Sequence, residues 1–127
     1  MDQFLRTRLL LGNERMRRLH AAQVTVVGLG AVGSYAVEAL ARAGVGALTL
    51  IDHDIVNASN INRQLYALHS TVGQQKTIVA ADRVRDINPH CRVVAQQLFV
   101  REDTVQTVVA SKPDVIVDAI DSLNPKV

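Results

Sequence analysis

Five polar residues form a set that suits the binding of a charged nucleotide: Asp52, Asp54, Arg63, Lys76 and Asp121. Two cations can offset phosphate charge and the carboxylates are hard oxygen ligands of the kind magnesium prefers. Upstream of them lies Gly28-Leu29-Gly30-Ala31-Val32-Gly33, a GxGxxG spacing, with Asp52 19 residues beyond its last glycine. In such a loop Gly28 permits the tight turn, Gly30 lets a phosphate approach the backbone, and Gly33 lets helix and strand pack closely. The helix that follows presents free N–H groups and about half a positive charge. Asp52 can accept from both ribose hydroxyls. The loop does not choose between a dinucleotide and ATP, and glycines used only for packing are the bland rival. The next stretch bears on the choice. A triphosphate carries about three to four negative charges, of which one helix terminus offsets a fraction. Arg63 and Lys76 follow the second strand and Asp121 follows the fourth, so all three can reach the same edge. Each has a plainer reading as well: a surface salt bridge for Arg63, an exposed first turn for Lys76, an Asx turn for Asn60, a turn cap for Asp54.

The elements that must position these groups alternate along the chain. Gln23–Leu29 reads as an apolar strand buried on both faces, Val32–Ala43 as an alanine-rich helix stopped by Gly44, and Ala47–Ile51 as a second strand. A polar stretch follows, with a short helical turn near Asn62–Ala67. Lys76–Ile87 is a helix with Ala80, Val84 and Ile87 on one face, ended by Asn88-Pro89. Arg92–Val100 is a third strand, Asp103–Ser111 a short helix and Asp114–Ile120 a fourth strand. Asn13–His20 is one more helix, capped by Asn13. The pattern predicts an α/β fold, a Rossmann-like parallel sheet flanked by helices and joined by right-handed crossovers. Residues 1–22 are an N-terminal arm and helix ahead of it. The chain stops soon after the fourth strand, which suggests the N-terminal part of a larger domain.

Composition sets the outer bounds. The 127 residues fit one domain. Nearly half are apolar and a fifth charged, as in ordinary globular proteins. No apolar run approaches the roughly 20 residues of a membrane span. The first residues lack the pattern of a secretory signal, so a cytoplasmic location is expected. A net charge of +2 does not by itself imply nucleic acid, and two tyrosines and two phenylalanines leave little for a base-stacking surface. Neither DNA nor a membrane is an expected partner. The basic bias is local, with Arg6, Arg8, Arg15, Arg17 and Arg18 crowding the N-terminal segment.

Taken together, "GLGAVGS", "LTLIDHDIVNASNINRQ", "VGQQK" and "DAIDS" resemble the adenylation domain of the ThiF, MoeB and HesA group, bacterial relatives of ubiquitin-activating enzymes. The resemblance spans essentially the whole chain. Within the group, "FLRTRLLLG", "GSYAVEALARAGVG" and "NINRQLYALHSTVG" look most like the tRNA threonylcarbamoyladenosine dehydratases, which use ATP to cyclise a modified adenosine beside the anticodon. The resemblance implies that Asp52 holds the ribose, that Asn60, Arg63 and Lys76 hold the triphosphate, and that Asp121 holds magnesium. It also implies that Arg6 reaches the ATP site of a partner subunit in a homodimer. Gln3 stands where many relatives have a second arginine. The implied reaction is attack by a carboxylate on the α-phosphorus, giving an acyl-adenylate and pyrophosphate. The substrate is a tRNA on this reading, or the C-terminal glycine of a ubiquitin-like sulfur carrier. Two other classes stay open: a nicotinamide oxidoreductase and a non-catalytic nucleotide-binding remnant.

Several tempting residues are set aside. Cys91 precedes the third strand, at the sheet edge opposite the nucleotide, so it is not expected to accept an acyl group. His20, His53, His69 and His90 show no metal spacing, and one cysteine cannot supply the zinc site of some relatives. His53 lies between two acids and reads as a solvated loop residue.

Overall fold

Residues 2–121 are described by a computed structural model. Four parallel strands form one sheet: β1 (Gln23–Val27), β2 (Ala47–Asp52), β3 (Arg92–Gln97) and β4 (Val115–Asp118), in the order β3-β2-β1-β4. The helices are α1 (Leu5–Leu11), α2 (Asn13–Ala21), α3 (Ala31–Ala43), α4 (Lys76–Ile87) and α5 (Val105–Val109). The first two crossovers, through α3 and α4, carry the chain from β1 to β3. The third, through α5, returns it to the other side of β1. The sheet therefore changes direction between β1 and β4, the point where α/β folds bind ligands at the carboxyl ends of strands.

Alternation along the strands divides the core. Val24, Val26, Leu48 and Leu50 pack with Val37 and Ala41 of α3 and Ala80 and Val84 of α4. Val27 and Ile51 point the other way and pack with Val108 of α5. Glu38 of α3 joins the two larger helices, accepting bonds from Arg83 Nε at 2.7 Å and Nη2 at 2.9 Å and from Arg42 Nε at 3.0 Å. The Arg83 hydrogen bond leads the causes that hold the Glu38 carboxyl below its usual range, against the opposing effect of burial.

The elements differ from the sequence expectation mainly at their ends. The first strand stops at Val27 because Gly28 turns with φ +95°. The third stops at Gln97 and the fourth at Asp118, so Leu98–Val100 and Ala119–Ile120 are free to line the pocket described below. The expected turn near Asn62–Ala67 begins earlier, with a 3-10 turn at Ala58–Asn60 that the bonds from Arg63 and Gln64 N–H to Asn60 O continue. Asn13 does not cap α2. Gly12 occupies that position, its N–H bonding back to Arg8 O at 2.7 Å, so α1 ends and α2 begins on one residue. The helix α1 was read as part of an arm. It is fixed by Phe4, buried edge-on against His20 with ring centres 5.3 Å apart, while Leu9 and Leu10 remain exposed. The apolar β4 lies at a sheet edge among the described residues, with Val115 and Ile116 exposed.

Candidate functional site

The glycine loop connects β1 to α3 at the switch point. A Cβ on Gly28 would lie 2.6 Å from Ala119 O, and one on Gly33 only 1.7 Å from Gly28 O. Both positions therefore exclude any side chain, and Gly33 serves the packing of helix on strand. A Cβ on Gly30 would meet only ordinary contacts instead, Gln64 Nε2 at 3.5 Å and Asp121 Oδ2 at 3.7 Å.

Asp52, the last residue of β2, reaches across to this loop. Its Oδ2 accepts from Leu29 N–H at 2.7 Å and its Oδ1 from Asp54 N–H at 2.8 Å. One carboxylate thus joins the glycine turn to the start of the polar excursion. Hydrogen bonds to a charged acceptor are the stronger kind.

That excursion, residues 53–75, is closed at its base by an antiparallel bridge between Ile55 and Gln75. Lys76 N–H donates to Asp54 O at 3.2 Å. Closure sets Asp54 beside Lys76 despite their separation in sequence, and Lys76 Nζ lies 3.7 Å from Asp54 Oδ2. The Lys76 side chain is only 6% exposed, so the plain reading of an exposed first-turn lysine does not hold. A buried ammonium needs a counter-charge, and Asp54, about half exposed, supplies one. Within the loop, Asn60 Oδ1 accepts from Asn57 N–H at 3.0 Å while the Asn57 side chain accepts from Asn60 N–H. Asn60 is thus an Asx-type residue, and it is buried at the wall of the hollow. Arg63 is exposed, its Nη1 bonded to Ser59 O at 3.1 Å and Asn62 Oδ1 at 2.8 Å.

These parts enclose a hollow of about 280 Å³. Gly28, Gly30, Asp52, Asp54, Asn60, Arg63, Lys76 and Asp121 all line it. Its other wall is apolar: Val27, Ile51, Leu98, Phe99, Val100 and Ile120. The arrangement offers an apolar slot for a flat base, a carboxylate for a sugar and cations for phosphate. Arg6 does not line it. Its helix packs through Phe4 against His20 and Gly44, at the strands' amino ends, the opposite pole of the sheet. Gln3 turns to α4, donating from Nε2 to Ile87 O at 2.9 Å.

Two contributors escaped the reading of the sequence, and a third, His53, was read as a solvated loop residue. Gln64 is buried and lines the hollow; its place beside Arg63 in "NINRQ" was the available signal. Phe99 stands at the mouth, and His53 packs edge-on against it at 4.6 Å. Neither has a spacing that marks it from sequence, because both gain their place from the strand ends. Cys91 is buried at the amino end of β3, and burial pushes its thiol pKa up. Among the described residues, no group of three or more His, Cys, Asp or Glu side chains could hold a metal by itself. Magnesium needs no such cage, since one or two carboxylates plus substrate phosphates commonly suffice. Asp121 and Asp54 fit that lesser demand.

A tRNA threonylcarbamoyladenosine dehydratase of Bacillus subtilis is 44% identical over 127 residues, covering 100% of this chain and 50% of that protein. A molybdopterin-synthase adenylyltransferase of Salmonella typhimurium is 38% identical over 111 residues, covering 87% of this chain and 44% of its own length. The crystal structure of the E. coli tRNA N6-threonylcarbamoyladenosine dehydratase in complex with ATP matches with a TM-score of 0.95 at 46% identity, covering 98% of this chain and 51% of that one. The chain spans about half the length of these relatives. A family model matches residues 4–127, and the chain belongs to the ThiF family.

Proposed function

We propose that the full-length protein activates a carboxylate with ATP, and that the carboxylate is the threonylcarbamoyl group of a modified adenosine in tRNA, which it cyclises. The observation that carries this reading is the convergence of Asp52, Arg63, Lys76 and Asp121 on one glycine turn at the β1–β4 switch point. The higher identity to the dehydratases than to the carrier-activating adenylyltransferase favours tRNA over a ubiquitin-like sulfur carrier.

Adenine stacks in the slot between Leu98, Phe99 and Ile120, and Asp52 accepts from the ribose hydroxyls with the lone pairs its two backbone bonds leave free. The phosphates lie over Gly30, within reach of the amides that open α3. A carboxylate oxygen attacks the α-phosphorus; the bond from that phosphorus to its bridging oxygen breaks, and pyrophosphate leaves. Lys76 and Arg63 offset the charge that develops, and Asn60 donates from Nδ2, which has no hydrogen-bond partner among the described residues. Catalysis on this account is placement and charge stabilisation. Asp121, assisted by Asp54, holds magnesium, which supplies Lewis-acid neutralisation of the phosphate oxygens. Arg6 sits at the wrong pole to serve its own pocket, so it acts in that of a second copy within a homodimer, in the cytoplasm.

The test is ATP–pyrophosphate exchange by the full-length enzyme. Asp121→Ala abolishes it; undiminished exchange refutes the assignment. Calorimetry with ATP and NADH separates this reading from an oxidoreductase, for which NADH binds tightly and Arg63 and Lys76 are irrelevant.

A further inference from the structure

Residues 2–22 hold five arginines and two acids, a formal +3 in a chain whose total is +2. Neither acid is free: Asp2 pairs with Arg8, and Glu14 is shared by Arg17 at 3.3 Å and Arg18 at 3.5 Å. The end of α2 meets a second hollow, of about 610 Å³, at the strands' amino ends. His20, His90 and Arg92 line it, and the one acid in its wall is the already neutralised Asp2. The Arg92 guanidinium and the His90 ring have no hydrogen bond or ion pair among the described residues. His20 is held in place by Gly44 O, 2.8 Å from its Nδ1. Arg17 lies three residues before His20, on the same flank of the helix. His20 of α2, His90 and Arg92 of β3 meet at one hollow, and Arg17, paired with Glu14, continues that basic track one turn back along α2.

Among the described residues the Arg92 guanidinium is left without a counter-ion beside His20 and His90, a setting open to an anion. Helix-dipole complementarity accounts for Arg18 and His20 in the last turn of α2, but not for His90 and Arg92, which lie outside the helix. The hollow's one large apolar ring, Phe4, is buried, so the track lacks the apolar centre that a protein interface uses. Contacts to phosphate need only charge and forked donors, which arginine provides.

We propose that this track docks the phosphate backbone of the RNA substrate, at the pole of the sheet opposite the nucleotide. The proposal rests on the tRNA reading above. A tRNA is far larger than the nucleotide hollow, so it can touch a surface well away from the reacting base.

The experiment is fluorescence anisotropy of a labelled tRNA transcript with the full-length protein, at salt between roughly 50 and 300 mM. Each phosphate contact contributes about 0.7 to 0.9 to the slope of log affinity against log salt. R17A/R92A is expected to lower the slope by about 1.4 to 1.8 and the affinity roughly tenfold or more near 0.1 M salt. R17K/R92K restores the slope, and ATP binding and melting temperature stay at wild-type values in both. A double-alanine variant with wild-type slope and affinity overturns the docking surface and leaves the tRNA reading standing. Wild-type protein that binds no tRNA, or a variant that loses a ubiquitin-like carrier instead, overturns both.

Discussion

Asp52→Asn tests the joint on which the site is built. The carboxylate accepts two backbone N–H groups, from Leu29 at 2.7 Å and from Asp54 at 2.8 Å. A side-chain amide has one oxygen, so in the variant one N–H faces an NH₂ group. Leu29 is fully buried, and water cannot replace its acceptor; the oxygen therefore stays with Leu29, and the Asp54 N–H turns to solvent. The loss is the charge assistance of one bond and most of the other, about 2 kcal/mol. Asp52→Ala strands the Leu29 N–H as well and costs about 3 to 4 kcal/mol. For a protein of the relatives' size, each kcal/mol lowers the melting temperature by roughly 2 to 4 °C. Asn at this position is thus expected to lower it by about 4 to 8 °C, and Ala by about twice as much.

The assay is thermal unfolding of the full-length protein without nucleotide, followed by calorimetric titration with ATP and magnesium. Both variants lose stability before any ligand is added, and ATP affinity falls as well. Nucleotide-free melting within about 1 °C of wild type, alongside weakened ATP binding, refutes the argument: Asp52 is then a ligand to the sugar and not a clamp on the turn.

Lys76→Met removes a buried cation from the wall of the hollow. Pyrophosphate exchange is expected to fall at least about 100-fold, and exchange within tenfold of wild type contradicts its role. Cys91→Ala is expected to leave exchange and turnover intact, because the residue lies at the opposite end of the sheet with its thiol pKa raised by burial; a tenfold loss of turnover in a folded variant argues for an acyl acceptor there. Glu38→Gln acts through the α3–α4 contact. The folded-state pKa of Glu38 is lowered from 4.5, chiefly by Arg83, so its stabilisation is present above that value and is lost as pH falls through the lowered one. Denaturant unfolding is expected to show the variant about 1 kcal/mol less stable at pH 7, the gap closing below pH 4.5; a gap independent of pH rules the ion pair out as its source.

The strands and long helices were legible because their cause is local. Apolar runs such as "VTVV" and "LTLI" have the period of buried strands, and the glycine loop fixes what must follow it. The reading failed where an element is held by something distant in sequence. The first helix has leucines that remain exposed, so its periodicity points to no core; Phe4 and His20, sixteen positions apart, hold it down. The strand ends were overrun because Leu98, Val100 and Ile120 are as apolar as strand residues. They are apolar for another reason, as one wall of a hollow. Lys76 was placed at the nucleotide edge, and the hollow does include it, but its burial was not legible. A lysine at a helix start reads as solvated, and only closure of the 53–75 excursion buries it.

That closure also bears on how the site is prepared for a ligand. A pocket assembled by the nucleotide itself draws the cost of fixing its side chains from binding energy. Here several of the groups are held by the protein's own contacts: Asp52 by two backbone amides, Asn60 by its exchange with Asn57, Lys76 by burial beside Asp54. The same contacts set a condition on entry. Asp54 already occupies Lys76, so on the proposed reading a phosphate would share or displace that carboxylate, and magnesium held at Asp54 would ease this by taking its charge. ATP affinity is therefore expected to depend on magnesium in the wild-type protein and less so in Asp54→Asn, where Lys76 has no anion to give up. Titrations with and without magnesium that show equal dependence in both proteins place the metal's effect elsewhere, on the phosphates or on Asp121 alone.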